Sequence, residues 1–300
     1  MNEQENPSPD CLVPAKRRRI MLMVLCGLSL LLTGMDWPSS EGRLAGNFGM
    51  NINGTPLLGE LFSAEGDVYS ADPGEVLFYA PAGDTGNFVS PLGNWMAIDH
   101  GDSVISVYAR LGTISPSPPA RLDKGITLGE AGRSGWVERD GFYFTFFDRR
   151  ERQWVNPAKI LNSLPDTIPP VIHSIKLKNT SGQIFDLAQT RNLRQGRYTL
   201  LVHATDRSEF AETAIAPFRI FCLLNGVEAG RIELETLSAR DGVLLTYRNG
   251  LVPVRDIYVN APAIEVAGDV SFTRGQASIE VNAQDFTGNT RNVSYRIFVE

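Results

Sequence analysis

Histidine, cysteine and basic residues are all scarce in this sequence of 300 residues. It contains three histidines and three cysteines, and the formal net charge is -6. This acidic balance argues against a nucleic-acid-binding protein, which normally carries a basic excess on one face. A Gly-x-Ser-x-Gly motif, a phosphate-binding loop and a Cys/His pair are also absent, so the enzyme classes that use them gain no support. Beyond the amino-terminal region Cys222 stands alone, and no intramolecular disulfide is expected there.

The one long apolar run lies near the amino terminus. Residues 16–19 are Lys-Arg-Arg-Arg, and residues 20–33 are almost entirely apolar. A basic segment, about fourteen apolar residues and a small-residue exit are typical of a secretory signal, whereas a membrane span needs about 20 apolar residues. We expect residues 1–40 to be a leader that directs export to the periplasm or cell envelope, with an inner-membrane anchor if it stays uncleaved. Lipidation of Cys26 is disfavoured, because the preceding Leu25 is not small.

From Gly46 onward the pattern favours β-strands. Short runs rich in branched and aromatic residues, such as residues 76–79, 95–98 and 104–108, are separated by Gly, Asp and Pro. Helical periodicity does not extend beyond two turns in any window. One short helix is expected at residues 156–161, with an Asn as N-cap and a Pro in the first helical position. The predicted fold class is therefore all-β.

A proline-rich segment at residues 163–170 divides the chain. Its prolines fix an extended backbone and cannot donate to a sheet, so we expect a stiff linker. It separates a first domain at residues 46–162 from a second at residues 171–300. In the second domain strand-like runs recur at the spacing of a β-sandwich, with turn signals such as Asn225-Gly226 and Asp241-Gly242. The predicted sandwich strands are residues 171–177, 197–205, 217–224, 231–237, 243–247, 277–283 and 294–299.

Four sequence blocks of the first domain carry a family resemblance. Residues 68–76 read VYSADPGEV, and residues 93–111 begin with GNWMAIDHG and end with YARL. Residues 124–135 form a glycine-spaced turn, and residues 154–157 read WVNP. Together and in this order, the blocks resemble the LytM or lysostaphin-type metallopeptidases, zinc enzymes that cut peptide crosslinks in peptidoglycan. The resemblance implies a LytM-like β-sheet core for residues 46–162.

The resemblance also implies zinc ligands that this sequence lacks. Active relatives use a His and an Asp four residues apart before the first block, and a later His-x-His strand. Thr55 and Gly59 stand approximately where the early His and Asp are expected. Arg110 replaces the histidine of the Tyr-Ala-His-Leu sequence in the central hairpin. Only His100 remains as a histidine of the first domain, and the family often carries this residue without using it as a ligand.

The strand that corresponds to His-x-His contains no nitrogen ligand in either register. Residues 142–147 read FYFTFF, and alternate side chains of a strand share one face. We expect Phe142, Phe144 and Phe146 to fill the former metal site with apolar side chains. The domain should then hold no zinc and have no catalytic residues, although active relatives bind zinc.

Members of the family bind a peptide stem in an open cleft. Arginine pairs with the carboxylates of such peptides, and tryptophan offers a flat apolar surface. For the tryptophans a place in the core is the alternative, and for His100 a structural role at the end of a strand. The candidate groove residues are Arg110, Trp136, Arg133, Trp95 and His100.

The second domain resembles the immunoglobulin-like modules of bacterial envelope proteins. Residues 202–206 (VHATD) and 281–289 (VNAQDFTGN) each indicate a strand that ends in an acidic turn. Asp285 is a conceivable calcium ligand, but one carboxylate is also what a capped turn requires.

Three hypotheses of function follow. The first is a non-catalytic envelope protein that binds peptidoglycan or regulates a cell-wall hydrolase. The second is an active zinc endopeptidase that cuts peptidoglycan crosslinks with unusual ligands. The third is a structural or adhesive scaffold. The expected partners are peptidoglycan or a hydrolase, with the membrane through an uncleaved leader, and no nucleic acid.

Overall fold

The computed structural model of the protein describes residues 34–81, 90–114, 118–135 and 139–300. The apolar run of the predicted leader, with Cys26, lies outside the described residues, and so does Trp136. In the described ranges, no helix is long and apolar enough to cross a membrane.

Regular structure is almost entirely β-strand, which confirms the predicted all-β class. The strands before the proline-rich segment are β1 (Arg43–Gly46), β2 (Asn51–Ile52), β3 (Thr55–Pro56), β4 (Glu60–Ser63), β5 (Asp67–Tyr69), β6 (Gly74–Ala80), β7 (Asn94–Asp99), β8 (Val104–Ile114), β9 (Arg121–Leu122), β10 (Thr127–Ala131), β11 (Phe142–Asp148) and β12 (Gln153–Val155). Those after it are β13 (Val171–Asn179), β14 (Ile184–Asp186), β15 (Asn192–Leu193), β16 (Gly196–Thr205), β17 (Arg219–Leu224), β18 (Val227–Glu233), β19 (Thr236–Arg240), β20 (Val243–Tyr247), β21 (Leu251–Pro253), β22 (Ile264–Phe272), β23 (Gly275–Gln284) and β24 (Thr290–Val299). A 3₁₀ turn covers Pro157–Lys159, and one short helix, α1, covers Val254–Tyr258.

The largest sheet is antiparallel and has β8 and β11 near its centre. Its main path runs β9-β6-β7-β8-β11-β12-β19-β20-β21, while β4 joins β11 to β1 and β10 joins β8 to β5. One face of the central strands carries a hydrophobic core in which Met96, Tyr108 and Phe144 are fully buried. This core forms because β7, β8 and β11 each place an apolar side chain at alternate positions.

Two further sheets face each other in the carboxy-terminal part. One has the order β14-β13-β16-β22 and the other the order β15-β24-β23-β17-β18. Ile175 and Val202 from the first sheet share a single buried core with Ile220 and Val281 from the second. The arrangement is a β-sandwich, and its closer assignment as an immunoglobulin-like module remains a prediction.

Strand β20 lies in a different sheet from the one that the sequence predicted. Residues 243–247 do form a strand, but it pairs with β19, which pairs in turn with β12 of the largest sheet. The expected strand at residues 231–237 is likewise split between β18 of the sandwich and β19 of the largest sheet. The reason is the edge of β12, where Trp154 lies opposite Leu237, so that β19 completes both the hydrogen bonding and the apolar cover of that edge.

Each of the two hydrophobic cores also contains a residue from the other part of the chain. Phe48, from the loop after β1, is fully buried in the sandwich core, and Ile215, from the loop after β16, is buried in the core of the largest sheet. Residues 35–300 accordingly form one compact unit. At the end of the largest sheet, Asn156 accepts a hydrogen bond from Ala158 N at 3.0 Å, so it caps a 3₁₀ turn where a short helix was expected.

The shared strand β19 predicts that the two parts unfold together. Leu237 is buried in the sandwich core while its strand belongs to the largest sheet. Leu237→Ala should cost about 2–5 kcal/mol of unfolding free energy and shift a single calorimetric transition to lower temperature. Leu251→Ala, at an exposed position of β21, is the matched control and should change the Tm little. Two separate transitions, of which Leu237→Ala moves only one, would contradict the shared unit.

Candidate functional site

Strand β11 turns one face toward the hydrophobic core and the other toward Arg110. Phe142, Phe144 and Phe146 are fully buried on the core face, where Phe142 stacks on Phe62 with ring centroids 4.5 Å apart. Tyr143 and Thr145 point to the opposite face, because successive side chains of a strand alternate. The three phenylalanines therefore belong to the hydrophobic core, and that they fill a former metal site stays a prediction.

Arg110 projects beside Tyr143 because β8 bulges at this point. Between the pairs Asn94–Leu111 and Met96–Tyr108, two residues of β8 lie opposite one residue of β7. Arg110 is the second of the two and has a φ of 65°, a left-handed conformation that costs about 1–2 kcal/mol outside glycine. Its guanidinium carbon lies 5.7 Å from the centre of the Tyr143 ring, within cation–π range.

The guanidinium of Arg110 is half-buried and incompletely paired. Its Nε atom is buried and has no hydrogen-bond partner among the described residues. Burial lowers the pKa of Arg110, opposed by Tyr143, but arginine remains charged at any physiological pH. Burial raises the pKa of Tyr143 far above its usual range, so the phenol stays neutral. A half-buried cationic group with one unpaired, buried donor therefore lies beside Tyr143 on this face of the sheet.

A cavity of about 320 Å³ opens beside Arg110. Its walls combine apolar rings with a few polar groups, and they come from β1, β4, β8, β11 and two loops. Its lining residues are Ala45, Leu61, Phe62, Ser63, Arg110, Gly132, Arg139, Asp140, Gly141, Phe142 and Glu212. A mainly apolar pocket with a few convergent polar groups is the usual form of a small-ligand or peptide site.

Two other predicted groove residues lie outside this cavity. Arg133 makes a bidentate ion pair with Asp140, with Nε–Oδ1 and Nη2–Oδ2 distances of 2.7 and 2.6 Å. Trp95 packs against Phe78 with ring centroids 4.8 Å apart, and neither ring lines the Arg110 cavity. Trp136, the remaining aromatic candidate, is not among the described residues.

His100 has a structural position away from Arg110. Its Nδ1 lies 2.8 Å from Pro73 O, and its Nε2 lies 2.7 Å from Ser106 Oγ. Both ring nitrogens are thus engaged, and the ring packs edge-on against Phe146 at 6.5 Å. These contacts fasten the start of β6 to the β7–β8 hairpin. His100 does not line the Arg110 cavity, and a part for it in a binding groove stays a prediction.

Thr55 and Gly59 have different surroundings. Thr55 is exposed on the small β2–β3 hairpin, so the structure gives it no part in the cavity. Gly59 lies directly against β11, since a Cβ atom there would be 2.2 Å from Phe144 O and 2.6 Å from Thr145 Cβ. Thr145 Oγ1 also donates a short hydrogen bond to Leu58 O. Of the two predicted positions, only Gly59 lies next to the strand that corresponds to His-x-His.

Comparison with known proteins agrees with this geometry. The model of peptidase family M23 matches residues 59–157. Residues 59–157 are a domain of peptidase family M23. A second family model, which carries no description, matches residues 169–300. Among curated proteins, no sequence matches the chain.

Several solved structures are similar to parts of the chain. A mutant catalytic domain of the prophage-encoded M23 protein EnpA from Enterococcus faecalis is 20% identical over 41% of this chain and 94% of its own, with a TM-score of 0.35. A zinc-containing peptidase from Vibrio cholerae is 19% identical over 44% of this chain and 41% of its own, with a TM-score of 0.35. Lysostaphin from Staphylococcus simulans is 13% identical over 71% of this chain and 86% of its own, with a TM-score of 0.32.

On the face of β11 beside Arg110, the described side chains do not match the donors that zinc requires. Protein zinc sites use His nitrogen, Cys sulfur or carboxylate oxygen, with an open position for water in enzymes. The face of β11 beside Arg110 presents a neutral phenol, a Thr hydroxyl that donates to a main-chain oxygen, and a guanidinium cation. A fixed positive charge opposes a second cation at this place.

The buried acid of β4 could not be recognised from the sequence. Glu60 lies opposite Phe144 in the sheet and is 2% exposed. Its Oε2 atom is buried without a partner among the described residues. Burial raises the pKa of Glu60 to about 8, although a hydrogen bond from Phe48 N opposes the rise. The sequence pattern around a single acidic residue in a strand does not indicate burial, because the residue is covered only when later segments of the chain pack against it.

An acidic cluster was also missed, apart from Asp285. The carboxylates of Asp166, Asp206 and Asp285 offer ligand atoms that all lie within 4.8 Å of one another. Burial and the nearby Asp285 raise the pKa of Asp206 to about 7. Burial and a hydrogen bond with Glu209 raise the pKa of Asp166. The three residues are far apart in sequence, and only the sandwich brings them together.

The close approach at Gly59 yields a stability prediction for the M23 domain. Gly59→Ala places a methyl group against the main chain of β11, so either β4 or β11 must move. We expect a loss of about 3 kcal/mol in unfolding free energy, measured by urea denaturation. Gly268→Ala on β22 is the control, since its Cβ meets only the ends of two flexible side chains, Glu265 Oε1 at 3.3 Å and Arg248 Nη2 at 3.9 Å. Equal losses for both variants would show that β4 does not need this contact.

The buried acid yields a pH prediction. A carboxyl whose pKa is higher in the folded than in the unfolded state gives full stability below its unfolded pKa, and that stability falls as the pH rises to the folded pKa. Wild-type stability should therefore decline between about pH 4.5 and pH 8. Glu60→Gln keeps an acceptor for Phe48 N but cannot ionise, so it should exceed the wild type above pH 8 by on the order of 2 kcal/mol.

Thermal unfolding between pH 4 and pH 9 measures this difference. Glu41→Gln, which changes an exposed carboxyl, should follow the wild type at every pH. A constant offset between Glu60→Gln and the wild type across the whole range would contradict a buried ionisable Glu60.

Proposed function

We propose that the M23 domain binds peptidoglycan stem peptides without cleaving them. The observation that carries the proposal is Arg110, whose half-buried guanidinium lines a cavity of about 320 Å³ and whose buried Nε has no hydrogen-bond partner among the described residues. A buried donor without a partner costs about 1–3 kcal/mol, and a bound carboxylate would remove that cost if the side chain turned its Nε toward the cavity. A role related to peptidoglycan is consistent with the M23 assignment of residues 59–157.

The walls of the cavity fit a short peptide that carries both charges. Arg110 and Arg139 supply donors for a carboxylate, and charge-assisted hydrogen bonds from arginine are among the strongest available. Glu212, on the opposite loop, is an acceptor for an amino group. Phe62 and Phe142 provide the apolar part of the wall. Stem peptides of peptidoglycan contain free carboxylates, amino groups and small apolar side chains.

The donor set supports binding without hydrolysis. Active relatives of the LytM type polarise a peptide bond with zinc and a water molecule. Here Arg110 stands where the central-hairpin histidine is expected, and the Tyr143 and Thr145 side chains stand on the His-x-His strand. These groups can hold a carboxylate, but they supply neither a metal-bound water nor a general base. The proposed location is the periplasm or cell envelope, on the basis of the predicted leader.

A rigid scaffold is the second candidate, and the continuous sheet favours it. Strand β19 joins the M23 domain to the sandwich, and the two cores exchange Phe48 and Ile215. A pure scaffold has no use for the Arg110 side chain, so the two functions differ in their response to one substitution.

Arg110→Asn is the variant that separates them. Asparagine tolerates the left-handed conformation better than most residues, so the fold should survive with a Tm within a few degrees of the wild type. Retention on insoluble peptidoglycan in a pull-down should fall about tenfold or more, as expected for the loss of about 1.5–3 kcal/mol from a charged hydrogen bond.

Arg152→Asn is the matched control. Arg152 also has a positive φ, of 55°, but it lies outside the Arg110 cavity. It should bind peptidoglycan like the wild type. If both variants bound peptidoglycan as well as the wild type does, the binding proposal would be rejected in favour of the scaffold function. If the wild type released crosslink fragments and a chelator stopped the release, the domain would be an active zinc endopeptidase.

A further inference from the structure

Three separate segments converge on the acidic cluster at one end of the sandwich. Asp166 belongs to the proline-rich segment before β13, Asp206 follows β16 and Asp285 follows β23. Asp206 and Asp285 are 4% and 2% exposed, respectively. The ligand oxygens lie within 4.8 Å of one another, which is twice a calcium–oxygen distance of about 2.4 Å. Three oxygens that were all 4.8 Å apart would lie about 2.8 Å from a central ion, so one calcium ion can contact all three carboxylates after small side-chain movements.

The local hydrogen bonds hold the cluster in place but do not neutralise it. Asp285 accepts bonds from Gly288 N, Asn289 N and Asn289 Nδ2 at 2.7, 2.9 and 2.7 Å. Asp206 Oδ1 accepts one bond, from Arg207 N at 2.9 Å. In the described part of the chain, no Lys, Arg or His side chain forms an ion pair with any of the three aspartates. Like charges at this separation repel strongly unless a cation or a proton intervenes.

A fourth carboxylate lines the same cavity. The three aspartates border a partly open cavity of about 80 Å³ that is also bordered by Glu60 from the M23 domain. Glu60 is 2% exposed, and its Oε2 has no partner among the described residues. This orphaned oxygen is independent of the aspartate turns, since it comes from β4 in the other part of the protein. The cavity is large enough for a cation with water, and acidic groups from both parts form its walls.

We propose that Asp166, Asp206 and Asp285 bind one calcium ion, which joins the proline-rich segment to the sandwich. All three ligands are hard oxygen donors, as calcium prefers, and they come from loops that permit irregular coordination. Main-chain and side-chain oxygens nearby can complete the shell, since Thr287 Oγ1 lies 3.0 Å from Asp285 Oδ1. Magnesium fits less well, because its oxygen distances of about 2.1 Å need a tighter octahedral set.

The ion would also fix the loop that reaches the Arg110 cavity. Asp206 begins the segment between β16 and β17. Further along it, Phe210 O accepts a hydrogen bond from Leu44 N at 2.7 Å, and Glu212 N donates to Leu44 O at 2.8 Å. The Glu212 side chain lines the Arg110 cavity. Calcium at Asp206 therefore stabilises the segment between β16 and β17, which is hydrogen-bonded to β1 and contributes one wall of the Arg110 cavity.

Calorimetric titration and thermal unfolding of the full-length protein test the proposal. The protein is first stripped with a chelator and then given calcium chloride or, separately, magnesium chloride at equal ionic strength. We expect saturable binding of one calcium ion per chain. At about 5 mM calcium, above the affinity range of about 0.1–1 mM for extracellular modules, the Tm should rise by about 5 °C.

Asp206→Asn removes one ligand charge and keeps the shape of the side chain. Without calcium this variant should be as stable as the wild type or more so, because one repelling charge is gone, and its calcium response should disappear. Asp241→Asn, in the exposed β19–β20 turn, should retain the full response. Absence of a calcium effect in the wild type, an equal effect in Asp206→Asn, or an equal response to magnesium would overturn the assignment. Because the titration involves no peptidoglycan, its outcome is separate from that of the Arg110 experiment.

Discussion

The pairing of β11 with three other strands is the constraint on which both the fold and the cavity depend. Residues 142–144 pair with β4, residues 143–148 with β8, and residues 146–148 with β12. These registers send the three phenylalanines into the core and Tyr143 to the opposite face, beside Arg110. A shift of one residue would exchange the two faces. The aromatic contacts Phe62–Phe142 and Tyr108–Phe144, at 4.5 and 5.0 Å, stabilise the observed register.

The same register explains why Arg110 can sit where it does. Strand β8 must bulge between β7 and β11, and the bulge puts Arg110 in a left-handed conformation. Arg110 N donates to Leu92 O at 2.6 Å, which holds the bulge open. The left-handed backbone and the unpaired Nε of Arg110 both reduce the stability of the fold, so stability alone does not account for this residue. Such positions concentrate at functional sites, where the surrounding fold over-determines them, and this is why the cavity, rather than the acidic loops, carries the proposed binding function.

Strand existence was well predicted from the sequence, but sheet membership was not. The Asn225-Gly226 and Asp241-Gly242 turns have positive φ at both residues, as their composition predicts. Local patterns of this kind mark where strands begin and end. They do not reveal that β19 and β20 leave the sandwich, because that choice depends on the free edge of β12, which is about 80 residues away in the chain.

The site was predicted in part, for reasons that differ from residue to residue. Arg110 could be singled out because a family resemblance fixed its position in the central hairpin. The alternation of Phe142, Phe144 and Phe146 showed that they share one face, but it could not say which face meets the core. Glu60 could not be found, because its burial is produced by the packing of residues from several distant segments.

The long-range contacts also give a physical reason for joining the two parts so closely. A cavity wall made of β1 and the loop after β16 exists only while the sandwich holds that loop in place. Arg43 adds to this attachment by donating from Nη2 to Glu209 O and Ala211 O at 3.2 and 3.1 Å. An M23 domain with a metal at its centre could anchor its cleft through the ligands themselves. Here the donor set does not suit zinc, and the sandwich supplies the anchoring from outside. The continuous β12–β19 pairing and the loop that runs from Asp206 to Glu212 therefore perform, for the Arg110 cavity, the positioning role that ligand bonds perform in a metal site.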